Sequence, residues 1–167
     1  GVQGKYNENC FHDAEDIYGK SKSIGEVKDY NFYNLRVSII GKEIFGFKSL
    51  ISWYLKNKNS NLNGYVDHNW NGVTTLSFAR VLNSIIQNKI QLPNSINIIP
   101  RNIINKYQLL NYLSIKFNNG KKHIKKFKGD KKIDRSLTSK YQKLQKQIWK
   151  NTIFKKQPTI KQMINDI

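Results

Sequence analysis

The chain is poor in the residues that cross-link small secreted proteins or anchor proteins in membranes. Its 167 residues include one cysteine, Cys10, and three prolines. A single cysteine excludes an internal disulfide and is typical of a reducing compartment, so we expect a cytoplasmic protein. No apolar run approaches the ~18 residues that suggest a membrane span, so we expect no membrane partner.

Acidic residues and arginine are also scarce. Eleven Asp and Glu residues stand against 29 Lys and Arg residues, which gives a formal net charge of +18. A strongly basic chain is typical of nucleic-acid-binding proteins, so a lysine-rich nucleic-acid-binding subunit is one interpretation. The lysines are spread along the whole chain, however, and a bias toward lysine, asparagine and isoleucine also arises from AT-rich coding. We therefore favour a solvated lysine surface over a nucleic-acid partner.

Several motifs that would indicate other chemistry are missing. The three histidines, His12, His68 and His123, have no cysteine or carboxylate near them at metal-ligand spacing, so no metal site is predicted. No Gly-x-Ser-x-Gly sequence supports a serine hydrolase. No glycine-rich loop lies between a strand and a helix, which is where a dinucleotide fold holds the pyrophosphate. Gly1 and Gly4 follow no strand and cannot serve this purpose.

The composition and the apolar patterns predict one folded domain. Apolar residues make up 38% of the chain and aromatic residues 12%, which is ordinary for a globular protein. Helices are predicted from Asp13 or Asp16 to about Val27, around residues 50–55, from Thr74 or Thr75 to Asn88, after Asn105, and from Pro158. The inward-facing residues predicted for the third of these helices are Phe78, Val81, Leu82, Ile85 and Ile86. A short amphipathic turn is predicted around Leu144, Ile148 and Trp149. Residues 35–40 are apolar apart from Arg36 and Ser38 and predict a strand buried on both faces, and residues 95–99 predict a second strand.

Tyr18 and Lys22 are the first candidates for catalysis. Four residues apart on a helix, their side chains share one face, and an ammonium beside a phenol favours the phenolate. Such a tyrosine can pass a proton to or from a substrate oxygen. The spacing alone is weak, because it recurs at Tyr54/Lys58 and Tyr112/Lys116. Only the first pair has glycines, a serine and a following apolar strand around it.

Five ordered segments carry a resemblance to a known family. They are Gly4-Lys5-Tyr6-x-Glu8, Asp16-x-Tyr18-Gly19-Lys20-Ser21-Lys22-x-x-Gly25-Glu26, Leu35-Arg36-x-Ser38-x-x-Gly41, Asn71-Gly72-Val73-Thr74-Thr75 with the helix after it, and Asp134-Arg135-Ser136-Leu137. Together they resemble the second half of an extended short-chain dehydrogenase/reductase, in the sugar-nucleotide branch typified by dTDP-4-dehydrorhamnose reductase. The resemblance covers nearly the whole chain.

The resemblance implies a fold and a set of site residues. The fold class would be α/β, the C-terminal part of a doubly wound NAD(P)-binding Rossmann-like fold with a small substrate-binding lobe. Residues 1–167 would form a single domain fragment that lacks the dinucleotide-binding half. The implied catalytic residues are Tyr18 and Lys22. The implied cofactor-binding residues are Tyr18, Lys22, Ser38, Ile39, Ile40 and Gly41, and the implied substrate-binding residues are Asn71, Gly72, Thr74, Thr75 and Arg135.

The resemblance also implies an activity. The complete enzyme would use NADP or NAD to reduce a 4-keto deoxysugar nucleotide, in the synthesis of precursors of cell-surface polysaccharides. The missing half would bind most of the cofactor, and a homodimer is left open. Ile40 stands where the reductases carry an aromatic residue, so an epimerase or 4,6-dehydratase of the same superfamily is the close alternative.

Overall fold

The computed structural model describes residues 3–46, 49–57, 61–118 and 123–167. Its helices are α1 (Ile17–Ile24), α2 (Leu50–Lys56), α3 (Thr75–Gln87), α4 (Lys106–Asn118), α5 (Gln142–Lys150) and α6 (Ile160–Asn165). Its strands are β1 (Asn34–Arg36), β2 (Ile39–Ile40), β3 (Leu62–Tyr65), β4 (His68–Trp70), β5 (Val73–Thr74), β6 (Ser95–Asn97), β7 (Ile104–Asn105), β8 (Ile124–Phe127) and β9 (Ile133–Asp134). The α/β class is confirmed.

The strands pair mostly in parallel. β1 pairs with β6, β2 with β5, and β3 with β8, each in parallel. β4 lies between β7, which is antiparallel to it, and β9, which is parallel. Parallel neighbours need crossover connections, and helices supply several of them here. The strands therefore form small sheets of two or three strands, in which segments distant in the sequence lie side by side.

Side-chain caps fix where several helices begin. Asp16, Ser49, Thr74 and Thr159 each occupy an N-cap position and accept a hydrogen bond from a backbone N–H three residues later. Asn105 accepts from the backbone N–H of Gln108, whose side chain accepts from the Asn105 N–H, both at 2.9 Å. The predicted starts of α1, α3 and α4 are therefore confirmed.

Two predicted helix boundaries are wrong. α1 ends at Ile24, because Gly25 takes the C-cap position and its N–H bonds back to the carbonyl of Ser21. Pro158 lies outside α6, because Thr159 is the N-cap and closes a reciprocal capping box with Gln162. Around Leu144, where only a short amphipathic turn was predicted, the nine-residue helix α5 forms.

The single strand predicted over residues 35–40 is also wrong, because the structure has two strands there. β1 pairs with β6, and β2 pairs with β5, so the chain changes its pairing partner around Ser38. The Ser38 carbonyl accepts from the backbone N–H of Val73 at 2.8 Å, and its hydroxyl accepts from Nε1 of Trp70 at 2.6 Å. Burial on both faces is not observed either, since Ile39 is 43% exposed.

The core lies in the later part of the chain. Its fully buried large side chains include Tyr54, Ile51, Leu110, Leu113, Trp149 and Met163, which come from α2, α4, α5 and α6. Val81 and Ile85 of α3 are buried as predicted. Ile86, also predicted to face inward, is 70% exposed, and Trp53 of α2 stays on the surface. Among the described residues, we find no helix with the length and hydropathy to cross a bilayer.

Candidate active site

α1 presents Tyr18 and Lys22 on one exposed face. Lys22 Nζ lies 5.4 Å from the centroid of the Tyr18 ring, and the tyrosine side chain is 73% exposed. Asp16 starts the helix by accepting from the backbone N–H of Gly19 at 2.8 Å. The structure therefore brings the ammonium beside the phenol, at a surface that a ligand can reach.

Because α1 buries none of its side chains, a polar contact just beyond its end attaches it to the sheet. Arg36 of β1 holds Glu26 through two hydrogen bonds, Nε to Oε1 at 2.6 Å and Nη2 to Oε2 at 2.7 Å. The bond from Arg36 lowers the pKa of Glu26 below its ordinary value. A second polar contact reaches α1 itself, since His12 Nδ1 lies within hydrogen-bond reach of Ser23 Oγ.

Sequence reasoning missed the role of Glu26 and Arg36, although both stand in segments that carry the family resemblance. Their opposite charges, just after a helix and on the next strand, were the available signal. The pair links the end of α1 to β1, and it therefore positions Tyr18 and Lys22.

A cleft of about 860 Å³ opens between α1 and the β1–β2 segment. Its lining includes Tyr18, Lys22, Ser38 and Ile39. Four of the predicted catalytic and cofactor-binding residues are thus brought together. Ile40 is buried and lines a different cavity.

Gly41 allows two segments to approach closely. A Cβ atom built on it would lie 2.5 Å from the Cγ2 and Oγ1 atoms of Thr75, the first residue of α3. Gly72 has a similar role, since a Cβ there would collide with the Ser38 carbonyl and the Trp70 indole. Both glycines therefore allow close packing against the segment opposite them, and direct ligand contact by either remains a prediction.

The other predicted substrate-binding residues around Gly72 have structural partners. Asn71 is 3% exposed, and its amide donates to the Leu137 carbonyl and accepts from the Leu137 N–H, both at 2.7 Å. Thr74 is buried and caps α3. Thr75 is exposed. Asn71 therefore joins the segment around Gly72 to the segment after Arg135, and its contact with a substrate remains a prediction.

Arg135 follows β9 and is held through its backbone, which donates to the Asn69 carbonyl at 3.0 Å. Its exposed side chain lines a small cleft of about 310 Å³ together with Ser38. Among the residues that the structure describes, no carboxylate forms an ion pair with it. The guanidinium is therefore available to an anionic ligand beside the Ser38 end of the Tyr18 cleft.

The first and last segments of the family resemblance meet. The Tyr6 N–H donates to the Ser136 carbonyl at 3.0 Å, and the Thr138 N–H donates to the Tyr6 carbonyl at 2.9 Å. Glu8 accepts from the Asn97 N–H, the Ser139 hydroxyl and the Lys140 N–H. Burial acts to raise the pKa of Glu8, but these hydrogen bonds outweigh it and the pKa is lowered.

Comparison with known proteins shows which fold this is. No family model and no curated protein matches the chain. Among solved structures, the dTDP-4-dehydrorhamnose reductase of Clostridium acetobutylicum matches over 99% of this chain, with a TM-score of 0.72 and 14% identity. The chain shares its fold. A reductase from Bacillus anthracis, solved in complex with NADP, matches with a TM-score of 0.72 and 14% identity over 97% of the chain.

The reductase of Yersinia enterocolitica gives the same result, with a TM-score of 0.69 and 16% identity over 97% of this chain. The chain spans 59% of the Yersinia and Clostridium chains and 58% of the Bacillus chain. The predicted likeness to part of the reductase fold is therefore confirmed. At these identities the comparison establishes the fold alone.

Proposed function

We propose that this chain is the catalytic and sugar-nucleotide-binding part of an NAD(P)-dependent reductase that acts on a 4-keto deoxysugar nucleotide. The observation that carries the proposal is the Lys22 ammonium beside the exposed Tyr18 ring, at a cleft whose opposite wall provides Ser38. This arrangement occurs in a chain with the fold of reductases that act on such substrates.

In this proposal, a nicotinamide bound in the cleft would supply the hydride for the ketone carbon. Tyr18 donates its phenolic proton to the ketone oxygen, so that the products are an alcohol and a tyrosinate that solvent reprotonates. Lys22 stabilises the tyrosinate by its charge, which lowers the cost of the proton transfer. The exposure of Tyr18 fits a group that must meet both cofactor and substrate.

We further propose that residues 1–167 are one domain, and that a separate dinucleotide-binding half completes the enzyme with NADP or NAD. Two observations support this. The solved reductases contain about two fifths of their length that this chain does not match. The residues on both sides of Tyr18 also expose large apolar side chains, among them Phe11, Ile17 and Ile24, as expected of a surface that another unit covers.

The decisive experiment is Tyr18→Phe, assayed together with the dinucleotide-binding half. The ring is retained and only the proton is lost, so kcat should fall by roughly 10²–10⁴ with KM little changed. Oxidation of one NADPH or NADH per ketone consumed distinguishes reduction from epimerisation and dehydration.

Tyr112→Phe is the matched control, because Tyr112 and Lys116 have the same spacing within α4. Tyr54→Phe is less suitable, since the Tyr54 hydroxyl is buried and donates to Asn118 Oδ1 at 3.1 Å; its partner in the spacing, Lys58, lies outside the described residues. If Tyr18→Phe and Tyr112→Phe retain equal activity, the proposed function is wrong.

A further inference from the structure

The net positive charge of the chain belongs to its later part. Residues 1–47 contain six Lys and Arg residues and seven Asp and Glu residues, whereas residues 48–167 contain 23 and four. Lysine thus occurs throughout the chain, but carboxylates balance it only in the first 47 residues. A basic surface must therefore lie on the part of the fold that follows the Tyr18 helix and β2.

One such surface is formed by α5 and the turn after it. Residues 142–156 contain five lysines and no Asp or Glu, and all five lysine side chains are exposed. We call this the α5 basic surface, and its lysines are Lys143, Lys146, Lys150, Lys155 and Lys156. None of them has a part in the chemistry proposed above.

α5 holds three of these lysines in a row on a rigid support. Lys143, Lys146 and Lys150 are spaced by three and four residues, which places them along one side of the helix. The other side is fixed to the core, because Ile148 is fully buried and its carbonyl accepts from Ser84 Oγ of α3 at 2.8 Å. The positions of the three charges are therefore set by the packing of the helix.

Carboxylates do not neutralise this surface within the described ranges of the chain. None of the five lysines forms an ion pair there, and none lines the clefts that contain Tyr18, Ser38 or Arg135. Like charges held side by side repel one another, and a negatively charged surface relieves that repulsion. The row from Lys143 to Lys150 is about 10 Å long, so an extended anionic surface fits it better than a single ion does.

The other side chains of the surface distinguish between two kinds of anionic partner. Ile153 lies between Lys150 and Lys155 and is 58% exposed. Beside lipid headgroups, an apolar side chain can enter the boundary with the acyl chains while the ammonium groups meet lipid phosphates. A nucleic acid offers isoleucine no such environment. The surface also lacks arginine for bidentate phosphate contacts, and its aromatic rings, Trp149 and Phe154, pack on each other with centroids 6.1 Å apart.

We infer that the α5 basic surface docks the chain on an anionic lipid bilayer. The five ammonium groups contact lipid phosphates, and Ile153 enters the headgroup region. Clusters of about four to eight lysines on a helix surface are typical of such contacts. The contact is peripheral, so it does not need the long apolar run of a membrane span. It goes beyond the proposed function and does not depend on it.

The test measures flotation of the purified chain with vesicles over a range of lipid concentrations. The vesicles consist of phosphatidylcholine alone or of phosphatidylcholine mixed with an equal part of phosphatidylglycerol. Binding should require the anionic lipid, and its absence from the mixed vesicles would overturn the inference. Affinity for the mixed vesicles should fall roughly 100-fold, about fivefold per lysine, in the triple variant Lys143→Gln, Lys146→Gln and Lys150→Gln.

The matched control removes the same charge from exposed positions outside the α5 basic surface. It is the triple variant Lys125→Gln, Lys128→Gln and Lys131→Gln. Screening by salt limits the effect of charges that do not touch the bilayer, so this variant should lose at most about fivefold in affinity. Equal weakening by the two triple variants would mean that the vesicles respond only to the net charge, and the inference would be wrong.

Ile153→Ala separates a bilayer from a nucleic acid. It keeps every charge and should weaken binding to the mixed vesicles about fivefold, because less apolar surface enters the headgroup region. Double-stranded DNA is added as a competitor in the same assay. If DNA displaces the chain from the vesicles and Ile153→Ala binds them unchanged, the partner is a nucleic acid and the bilayer inference fails.

Discussion

Residues 11–45 expose many large apolar side chains, whereas residues 49–167 contain nearly all of the buried ones. Eleven of the eighteen exposed large apolar side chains in the described structure lie in the first region, among them Phe11, Tyr30, Ile44 and Phe45. Of the twenty-one buried apolar side chains among the described residues, only Ile40 comes from that region. The later region thus has a hydrophobic core of its own, whereas the earlier region is attached to it.

Polar contacts make this attachment. Besides Glu26 and Arg36, the side-chain amide of Asn94 donates to the backbone carbonyls of Val27, Asp29 and Phe32 at 2.8–3.0 Å. Net hydrogen-bond contributions are modest, while apolar burial is the main favourable term in folding. We therefore expect the region carrying Tyr18 to gain stability from a covering partner, a role that the proposed dinucleotide-binding half would fill.

The largest expected difference is in the free energy of unfolding, when one helical isoleucine in each region is replaced by alanine. Ile51→Ala in α2 removes a fully buried side chain, so we expect a loss of about 2–5 kcal/mol in the free energy of unfolding. Ile24→Ala in α1 removes a side chain that is 84% exposed, so its effect should stay within about 0.5 kcal/mol. Urea titration of both variants measures the difference. Equal losses would mean that α1 is packed as firmly as α2.

An intermediate effect is expected from breaking the Glu26–Arg36 pair. Glu26→Gln removes the carboxylate and leaves Arg36 partly buried, which should cost roughly 1–2 kcal/mol. The loss should be local, with faster amide hydrogen exchange in α1 and β1 and unchanged exchange in α4 to α6. Glu15→Gln, a change of the same kind at an exposed position, is the control. Uniformly faster exchange throughout the chain would contradict this separation of the two regions.

The smallest expected effect is on the pH dependence of stability in the acid range. Hydrogen bonds lower the pKa of Glu8 and Glu26 in the folded chain below the ordinary value of 4.5. A lowered folded pKa means that the stabilisation is fully present above pH 4.5 and is lost as the pH falls through the folded values. NMR signals of residues 17–24 should therefore broaden or shift before those of α5 and α6 below that pH. Glu26→Gln should weaken this acid response of residues 17–24, whereas Glu8→Gln should act at Ser139 and Lys140, from which the Glu8 carboxylate accepts hydrogen bonds. An unchanged response of residues 17–24 in Glu26→Gln would exclude Glu26 as its source.

The sequence predicted local features better than distant ones. α3 and α4 could be placed because Thr74 and Asn105 are strong caps followed by helical apolar spacing. The split at Ser38 could not be predicted, since it depends on β5 and β6, which lie some 35 to 60 residues later. Ile86 was assigned to the wrong face because apolar spacing alone does not show how wide a helix face the neighbours cover.

In the candidate site, too, contacts between residues close in sequence were predicted and contacts between distant residues were not. Tyr18 and Lys22 are neighbours on one helix turn, so their spacing was sufficient to bring them together. The contact between Glu26 and Arg36 was not predicted, because it depends on how α1 lies against β1. The burial of Asn71 could not be predicted from the sequence either, because its hydrogen-bond partner Leu137 is distant in the chain.

The bonds between Tyr6 and the backbone around Ser136 have a consequence for synthesis on the ribosome. Residues 3–8 are translated early, yet their partners are translated some 130 residues later. Contacts between such distant residues form slowly, because a long loop must close before any bond is gained. The early segment therefore waits until α1 to α4 have already been made. A pause in translation before Ser136 would hold the nascent chain in a state in which Tyr6 lacks its backbone partners and the core lacks α5 and α6, which supply Trp149 and Met163.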